Sequence, residues 1–249
     1  MRRGRGQILV VAALGIALVI ISTQAYVLEL NRTTVSSDYG CFSDHVLGIE
    51  QGAGHVICAS LVNVSLGGAS SVLMDNLDRW EAFVSGDHTF GWCDLNATPA
   101  SQPPYTEGIR LDWGTEGEGV SSACAEFTLN ISGRGLDVDH QFTVNTTTLL
   151  SVAGSYVDLG GDAKALTVMV ELQVDGGWAL AGSITLEYMK SAAWTDPTGL
   201  GSYQEQDYGN GTYIYTFTDD VPGSPVQIRA QVYDLRGVYV RAENSLGEG

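Results

Sequence analysis

The most frequent motif of known chemistry in this chain is the sequon N-x-[ST]. Six of the eight asparagines begin such a sequon: Asn31, Asn63, Asn96, Asn130, Asn145 and Asn210. The side-chain amide of a sequon asparagine accepts the sugar in N-linked glycosylation, which modifies surface segments of exported proteins. Serine and threonine form about a sixth of the chain, so chance would give roughly one sequon among the asparagines. The excess predicts a glycosylated, outward-facing surface, and a bias of exposed strands towards Ser and Thr is the alternative explanation.

The cysteines are the second group that could form covalent bonds: Cys41, Cys58, Cys93 and Cys124. Their even number allows several disulfide pairings. A straight helix over residues 43–58 would separate Cys41 and Cys58 by about 22 Å, far beyond the roughly 7 Å limit between bonded α-carbons. We predict instead a bond between Cys93 and Cys124, which lie on predicted strands of one domain. Buried free thiols are the alternative, above all for Cys58 on its apolar helix.

Metal-binding and catalytic patterns are missing from the sequence. No C-x₂₋₄-C or H-x₃₋₅-H spacing occurs, so we expect neither zinc nor another cofactor. Asp137 and Asp139 share one face of a predicted strand and precede His140; a weak calcium contact or simple solvated acids would explain them. The chain contains no G-x-S-x-G, phosphate-binding loop, dinucleotide fingerprint or C-x-x-C. We therefore predict that the protein is not an enzyme and keep a secreted hydrolase as an alternative.

Tryptophan side chains are the remaining candidates for ligand contact, since their rings could form a platform for a carbohydrate. Trp80 and Trp92 are predicted to pack into cores. Trp178 and Trp194 lie beside predicted turns, so we expect them to be exposed.

The charge of the chain excludes one class of partner. The formal net charge is −17, and Arg2, Arg3 and Arg5 are among the 12 basic residues, so the body is more acidic than the total suggests. An acidic surface repels phosphate groups. We therefore expect no nucleic acid partner.

An apolar segment near the N-terminus determines on which side of a membrane the rest of the chain lies. Residues 8–21 contain no polar side chain. Extended to Leu28, the segment has about the 20 residues that a helix needs to cross a bilayer. The arginines before it predict an N-terminus inside and a body outside. Three processing outcomes are compatible with this segment. It could be a signal peptide with Thr23 and Ala25 before the cleavage site, an uncleaved membrane anchor, or a helix that is retained after cleavage ahead of the apolar run.

The start of this segment resembles the class III signal peptide of archaeal type IV pilin-like proteins. It reads Arg-Gly-Arg-Gly, then Gln7 and an unbroken apolar stretch. In that family a prepilin peptidase-like enzyme cuts after the glycine, and the retained helix packs into a surface filament. The resemblance implies cleavage between Gly6 and Gln7. Bacterial type IV pilins carry glutamate at the fifth mature position, which is Val11 here, so the resemblance is to archaeal surface proteins.

The next part of the chain is predicted to be an α+β domain over residues 31–150. Apolar residues spaced by three or four predict a helix from Ser43 to Val64 and a second one from Ser71 to Val84. From His88 the pattern changes to alternation, with expected strands at 89–94, 108–113, 121–132 and 136–149. The helices are expected to bury their apolar faces against this sheet.

Residues 151–249 are predicted to form an immunoglobulin-like antiparallel β-sandwich. Apolar side chains alternate in five segments separated by turns that contain Gly or Pro, as in Leu166, Val168, Val170 and Leu172. The predicted fold class is therefore mainly β with an N-terminal apolar helix. Residues 1–6 would be a basic leader, and residues 7–30 would be the transmembrane or assembly helix.

Together these expectations predict a structural subunit of an extracellular type IV pilus-like filament. Its partners would be copies of itself in a helical filament, the membrane through the N-terminal helix, and the processing enzyme. It would be located at the cell surface. The alternative is a single-pass membrane-anchored protein for binding or adhesion.

Overall fold

The computed structural model describes residues 21, 22, 24, 25, 42–87, 89, 91–133 and 136–249. Two compact units are present, Met1–Ile49 and Glu50–Gly249. In the first unit, residues 21, 22, 24, 25 and 42–49 are helical. No helix among the described residues is long and apolar enough to cross a membrane. The predicted cleavage point Gly6-Gln7, most of the segment 7–30, Asn31 and Cys41 lie outside the described residues.

Both helices predicted after the N-terminal segment are confirmed. Helix α1 covers residues 42–65, and helix α2 covers Ser71–Ser85. In α1 the buried residues Ala53, Ile57 and Leu61 follow one another at four-residue intervals, so they form one stripe. Gly52 lies where α1 meets α2: a β-carbon there would be 2.3 Å from the Trp80 ring, so the close approach of the helices requires glycine.

The rest of the second unit is mostly β-structure in antiparallel sheets, with one 3-10 turn at Pro197–Gly199 among its described residues, which confirms the mainly β class. The strands are β1 (Trp92–Pro99), β2 (Ile109–Trp113), β3 (Glu118–Gly133), β4 (Leu136–Gly160), β5 (Ala163–Val174), β6 (Gly177–Trp178), β7 (Ala181–Lys190), β8 (Ala193–Thr195), β9 (Gln204–Asp207), β10 (Thr212–Asp220), β11 (Val226–Asp234) and β12 (Tyr239–Leu246). The large sheet has the order β1-β3-β4-β5-β10-β9, with β2 on β3 and β6 on β5. The small sheet has the order β12-β11-β7-β8.

Strand β4 joins two differently covered halves of the large sheet. Its first part pairs with β3, and its second part pairs with β5. The strand continues through residues 150 and 151, where the change of sequence pattern predicts a boundary between domains. Physically, Leu149-Leu150-Ser151-Val152 contains no turn residue and keeps the two-residue alternation, so pairing proceeds without a break.

Helices cover the half that contains β1. Helix α2 packs on β1, and Leu73 and Leu77 of α2 are fully buried, as is Leu129 on β3. Helix α2 also binds the free edge of β1, because Ser85 Oγ and Glu81 Oε1 accept hydrogen bonds from the main-chain N–H groups of Leu95 and Ala97. These bonds satisfy donors that an edge strand would otherwise expose.

The small sheet covers the other half in a β-sandwich-like arrangement. The alternating residues predicted from the sequence are buried there in one cluster, for example Val168, Tyr215, Ile228 and Val240. Each large apolar side chain buried in this way contributes about 1.5–3 kcal/mol relative to exposure. Gly119 lets β3 approach β12, since a β-carbon there would lie 2.1 Å from the main-chain oxygen of Arg241.

Candidate functional site

The side of the large sheet that neither the helices nor the small sheet cover is here called the open face. Residues that stand opposite each other in neighbouring strands point to the same side of a sheet. Asn96 of β1 stands opposite Thr128 of β3, which stands opposite Gln141 of β4. Asn96 and Gln141 are exposed, whereas the next residue on β1, Ala97, is buried. The open face therefore carries even-numbered residues of β1 and β3 and odd-numbered residues of β4.

Three predicted glycosylation sites lie on this one face: Asn96, Asn130 and Asn145. Asn130 is two residues from the partner of Asn96, a diagonal separation of about 7–8 Å. Asn145 stands opposite Cys124, six residues from Asn130 along β3, which is about 20 Å. Asn96 and Asn145 are exposed, and Asn130 is half-buried. Sequence reasoning found these residues but not their common face, because the face depends on strand register.

Asn145 is held by hydroxyl groups. Its Oδ1 accepts hydrogen bonds from Tyr105 Oη at 3.2 Å, Ser122 Oγ at 3.1 Å and Thr147 Oγ1 at 3.2 Å. Thr147 is the third residue of the sequon itself. All three bonds engage the amide oxygen, which leaves the nitrogen that would carry a sugar outside this cluster.

Two further sequons lie at chain reversals rather than on the open face. Asn63 is exposed in the last turn of α1, and its main-chain oxygen accepts hydrogen bonds from the N–H groups of Leu66 and Gly68. Asn210 is exposed before β10, and its Oδ1 accepts a 3.1 Å hydrogen bond from the N–H of Thr212. Both side chains are accessible to a modifying enzyme.

Acidic side chains surround Asn130 on the open face. Asp94 and Asp139 stand directly opposite it on the two neighbouring strands. His140 points to the other side of the sheet, where its Nε2 lies 2.7 Å from Glu50 Oε1 of α1. Asp139 and His140 therefore do not converge. Within the described residues, no group of three or more His, Cys, Asp or Glu side chains is placed to hold a metal ion.

The predicted disulfide between Cys93 and Cys124 is wrong. The structure has free thiols at Cys58, Cys93 and Cys124. Cys93 stands opposite Ile131, so it is seven residues, or about 23 Å, from Cys124 along β3. The two also point to opposite sides of the sheet. The prediction recognised two strands of one domain but had no information on their register.

The buried thiols of Cys93 and Cys124 are poorly suited to nucleophilic chemistry. Burial raises the pKa of Cys93, and the nearby carboxylates of Asp87 and Asp94 raise it further. Burial, with a contribution from Glu126, likewise raises the pKa of Cys124. Thiols with raised pKa values hold their proton at neutral pH, and the thiolate is the reactive form.

The tryptophans follow the prediction only in part. Trp178 is 57% exposed, as expected. Trp92 is also 57% exposed, so its predicted core position is wrong. It precedes the inward-pointing Cys93 and therefore faces the open side. Trp80 is half-buried and stacks on Phe83. Trp194, predicted to be exposed, is half-buried because the Arg229 guanidinium lies over its ring at 4.3 Å.

A polar network around Arg236 was not found from the sequence. Arg236 Nε donates a 2.9 Å hydrogen bond to Asp234 Oδ2, and its Nη1 lies 2.8 Å from Asp175 Oδ2. Thr148 Oγ1 of β4 also donates to the Asp234 carboxylate, at 2.9 Å. The network ties the β11–β12 turn to the middle of β4. Thr148 and Asp175 are distant in sequence from Asp234 and Arg236, and no local motif marks the four together.

A cleft large enough for a small ligand lies in the described part of the chain. It has a volume of about 690 Å³ and lies beside β2, between the α1–α2 connection and Trp113. Its polar lining includes Arg110 and Asp112, which bind each other at 3.2 Å. Ser70 also lines the cleft, and its Oγ donates a 2.7 Å hydrogen bond to Glu107 Oε2. Apolar walls with a few polar groups are typical of small-molecule sites.

The open face is therefore the candidate functional site: a sheet surface with three sequon asparagines and with acidic side chains around Asn130. Its asparagines are chemically suited to modification, and its carboxylates are spread rather than paired for acid–base work. Comparisons with protein-family models, with curated proteins and with solved structures find no match for this chain.

Proposed function

We propose that this chain is a structural subunit of an extracellular type IV pilus-like filament. The observation that carries the proposal is the unbroken apolar run behind Gly6-Gln7, followed by a mainly β unit with sequons on its surface. A prepilin peptidase-like enzyme would cut after Gly6. The apolar segment would hold the chain in the membrane and later bundle with copies of itself, with the β unit outside.

The proposed outer domain is immunoglobulin-like. The strand orders β4-β5-β10-β9 and β12-β11-β7-β8 support this, because they correspond to the two sheets of that fold when β4 is taken as its first strand. A parallel bridge between Tyr156 of β4 and Glu248 near the C-terminus is compatible with it. The fold serves many functions, so the functional proposal rests on the apolar segment and the surface.

The proposal includes no catalytic activity. Two serine hydroxyls on β3 form structural bonds: Ser121 Oγ donates to the main-chain oxygen of Tyr239 at 2.7 Å, and Ser122 Oγ bonds Asn145 and Thr147. Both serines are buried. These contacts support a structural role.

Processing tests the proposal first. Mass spectrometry of the protein from its native membrane should find an N-terminus at Gln7. A Gly6→Leu variant should keep its leader and form no fibres, whereas the matched variant Gly4→Leu should be processed. An N-terminus at Met1 or Tyr26 in the unchanged protein would contradict the proposal.

A membrane-anchored binding or adhesion protein is the second candidate. The observation that favours it is the outer side of the small sheet, where Glu187 Oε2 accepts hydrogen bonds from Arg229 and Gln231 beside the Trp194 ring. Aromatic rings beside fixed polar groups are typical of ligand sites. Shearing cells and imaging the released material separates the two candidates, since a monomeric anchor releases no fibres.

A further inference from the structure

The open face changes character along β4. Beyond Asn145 it continues onto β5 and β10, where two cross-strand rows occupy its centre: Ala153–Met169–Ile214 and Ser155–Thr167–Thr216. These six residues are here called the uncharged patch. The nearest carboxylate on the face is Glu171, in the adjoining row opposite Ser151 and Thr212.

Charge and sequons distinguish this patch from the other half of the same face. Around Asn130 the face carries Asp94 and Asp139 on neighbouring strands. The uncharged patch contains neither an acid nor a sequon, although the chain has 29 acidic residues. Cores of protein–protein contacts are depleted in charged residues in the same way.

We propose that the uncharged patch is the surface through which the β units of neighbouring copies of this chain meet. The proposal rests on the filament function and names a lateral contact within it. The full chain has a net charge of −17, and removal of Arg2, Arg3 and Arg5 with the leader makes it more negative. Two such copies repel one another through their acidic surfaces, and this cost is lowest where no carboxylate faces the partner. Glycans at Asn96, Asn130 and Asn145 would keep a partner away from the other half.

The remaining sheet surface is less suitable for such a contact. On the outer side of the small sheet, Arg229 and Glu187 form an ion pair whose side chains are 17% and 18% exposed. Covering it with another protein would remove its remaining water, and desolvation of ion pairs opposes burial. The hydroxyls of Thr167 and Thr216 have a smaller desolvation cost, and the flexible Met169 side chain adapts to an opposing surface.

A contact of this extent is weak alone. Stable interfaces bury about 800 Å² on each partner, more than six small side chains supply. Polymerisation through the apolar helices would hold the β units at high local concentration, so that a weak lateral contact forms within the fibre. We therefore expect the patch to be covered in fibres and accessible in dispersed subunits.

Methionine oxidation can measure whether the patch is covered in fibres, because Met169, Met189 and Met74 lie on three different surfaces. Met169 is in the uncharged patch, Met189 is on the outer side of the small sheet opposite Trp194, and Met74 is 46% exposed on α2. Sheared fibres and detergent-dispersed subunits of the unchanged chain would be treated briefly with hydrogen peroxide and analysed by peptide mass spectrometry. Met169 should oxidise several-fold more slowly in fibres, with less than a twofold change at Met189 and Met74. Fibres in which Met189 is protected and Met169 is not would overturn the assignment.

Charge insertion provides the second arm. The double variant Thr167→Glu/Thr216→Glu places two carboxylates in the patch, and Thr128→Glu/Thr143→Glu places two on the sequon-bearing half without altering a sequon. The first should shorten or abolish fibres that still begin at Gln7, and the second should assemble normally. Equal assembly of both variants would contradict the proposed lateral contact but not the filament function. If the unchanged chain forms no fibres, both the filament function and the lateral contact are contradicted.

Discussion

The two halves of the large sheet share strand β4 but differ in what covers one side and what the other side displays. Helices cover the half with β1, and its open face carries sequons and acids. The small sheet covers the half with β5 and β10, and its open face there carries the uncharged patch. The open face thus has an acidic part and an uncharged part, although β4 runs through both. The backbone pairing does not fix which side chains are exposed, so the two parts can differ in chemistry.

The contact of Asp234 with β4, between the two halves, should have the largest effect on stability when it is removed. Asp234 is 3% exposed and accepts hydrogen bonds from Arg236 and from Thr148 of β4. Asp234→Ala leaves the Arg236 charge without its most buried partner, so we expect a loss of about 3–5 kcal/mol in unfolding free energy. Urea denaturation measures it. Asp112→Ala, at an exposed ion pair, is the control and should change stability by about 0.5 kcal/mol or less.

Shortening one buried side chain on each side of β4 tests whether the two halves unfold together. Leu129 lies under the helices and Ile228 under the large sheet, and both are fully buried. Leu129→Ala and Ile228→Ala should each cost about 2–5 kcal/mol. If β4 couples the halves, each variant shifts a single transition seen equally by tryptophan fluorescence and far-ultraviolet circular dichroism. Separate transitions would show that the halves are independent.

The bond that protects the β1 edge should have a smaller effect. Glu81→Ala removes the acceptor of the Ala97 N–H and should destabilise the protein by about 1–3 kcal/mol. Asp78→Ala, at an exposed position of the same helix, is the matched control. Thermal unfolding compares the two, and equal melting temperatures would show that the edge bond contributes nothing.

Alkaline pH should act on the sandwich half, with little effect below pH 10. Burial, reinforced by the Glu205 carboxylate, raises the pKa of Tyr203 to about 12, and burial also raises the pKa values of Tyr188 and Tyr215. Raised pKa values mean that the neutral form stabilises the fold, so this contribution is complete below pH 10 and lost as pH rises through about 12. Tyrosinate absorbance at high pH, recorded with circular dichroism, should show ionisation together with unfolding. Full ionisation near pH 10 without unfolding would contradict this.

Local patterns in the sequence predicted the elements well. The spacing of Ile57 and Leu61 predicted α1, and the alternation of Val168 and Val170 predicted a buried strand face. Both patterns reflect the geometry of a single element. The common face of Asn96, Asn130 and Asn145 and the separation of Cys93 from Cys124 depend on register between strands. Register is set by pairing over long sequence distances, which one chain pattern does not specify.

The processed N-terminus of the surface fibres tests the central claim most directly. Fibres sheared from cells that make this protein would be digested and their N-terminal peptide identified by mass spectrometry. The filament proposal predicts a peptide that begins at Gln7 and continues into the apolar segment. A peptide beginning at Met1 or Tyr26, or fibres that lack this chain, would contradict it.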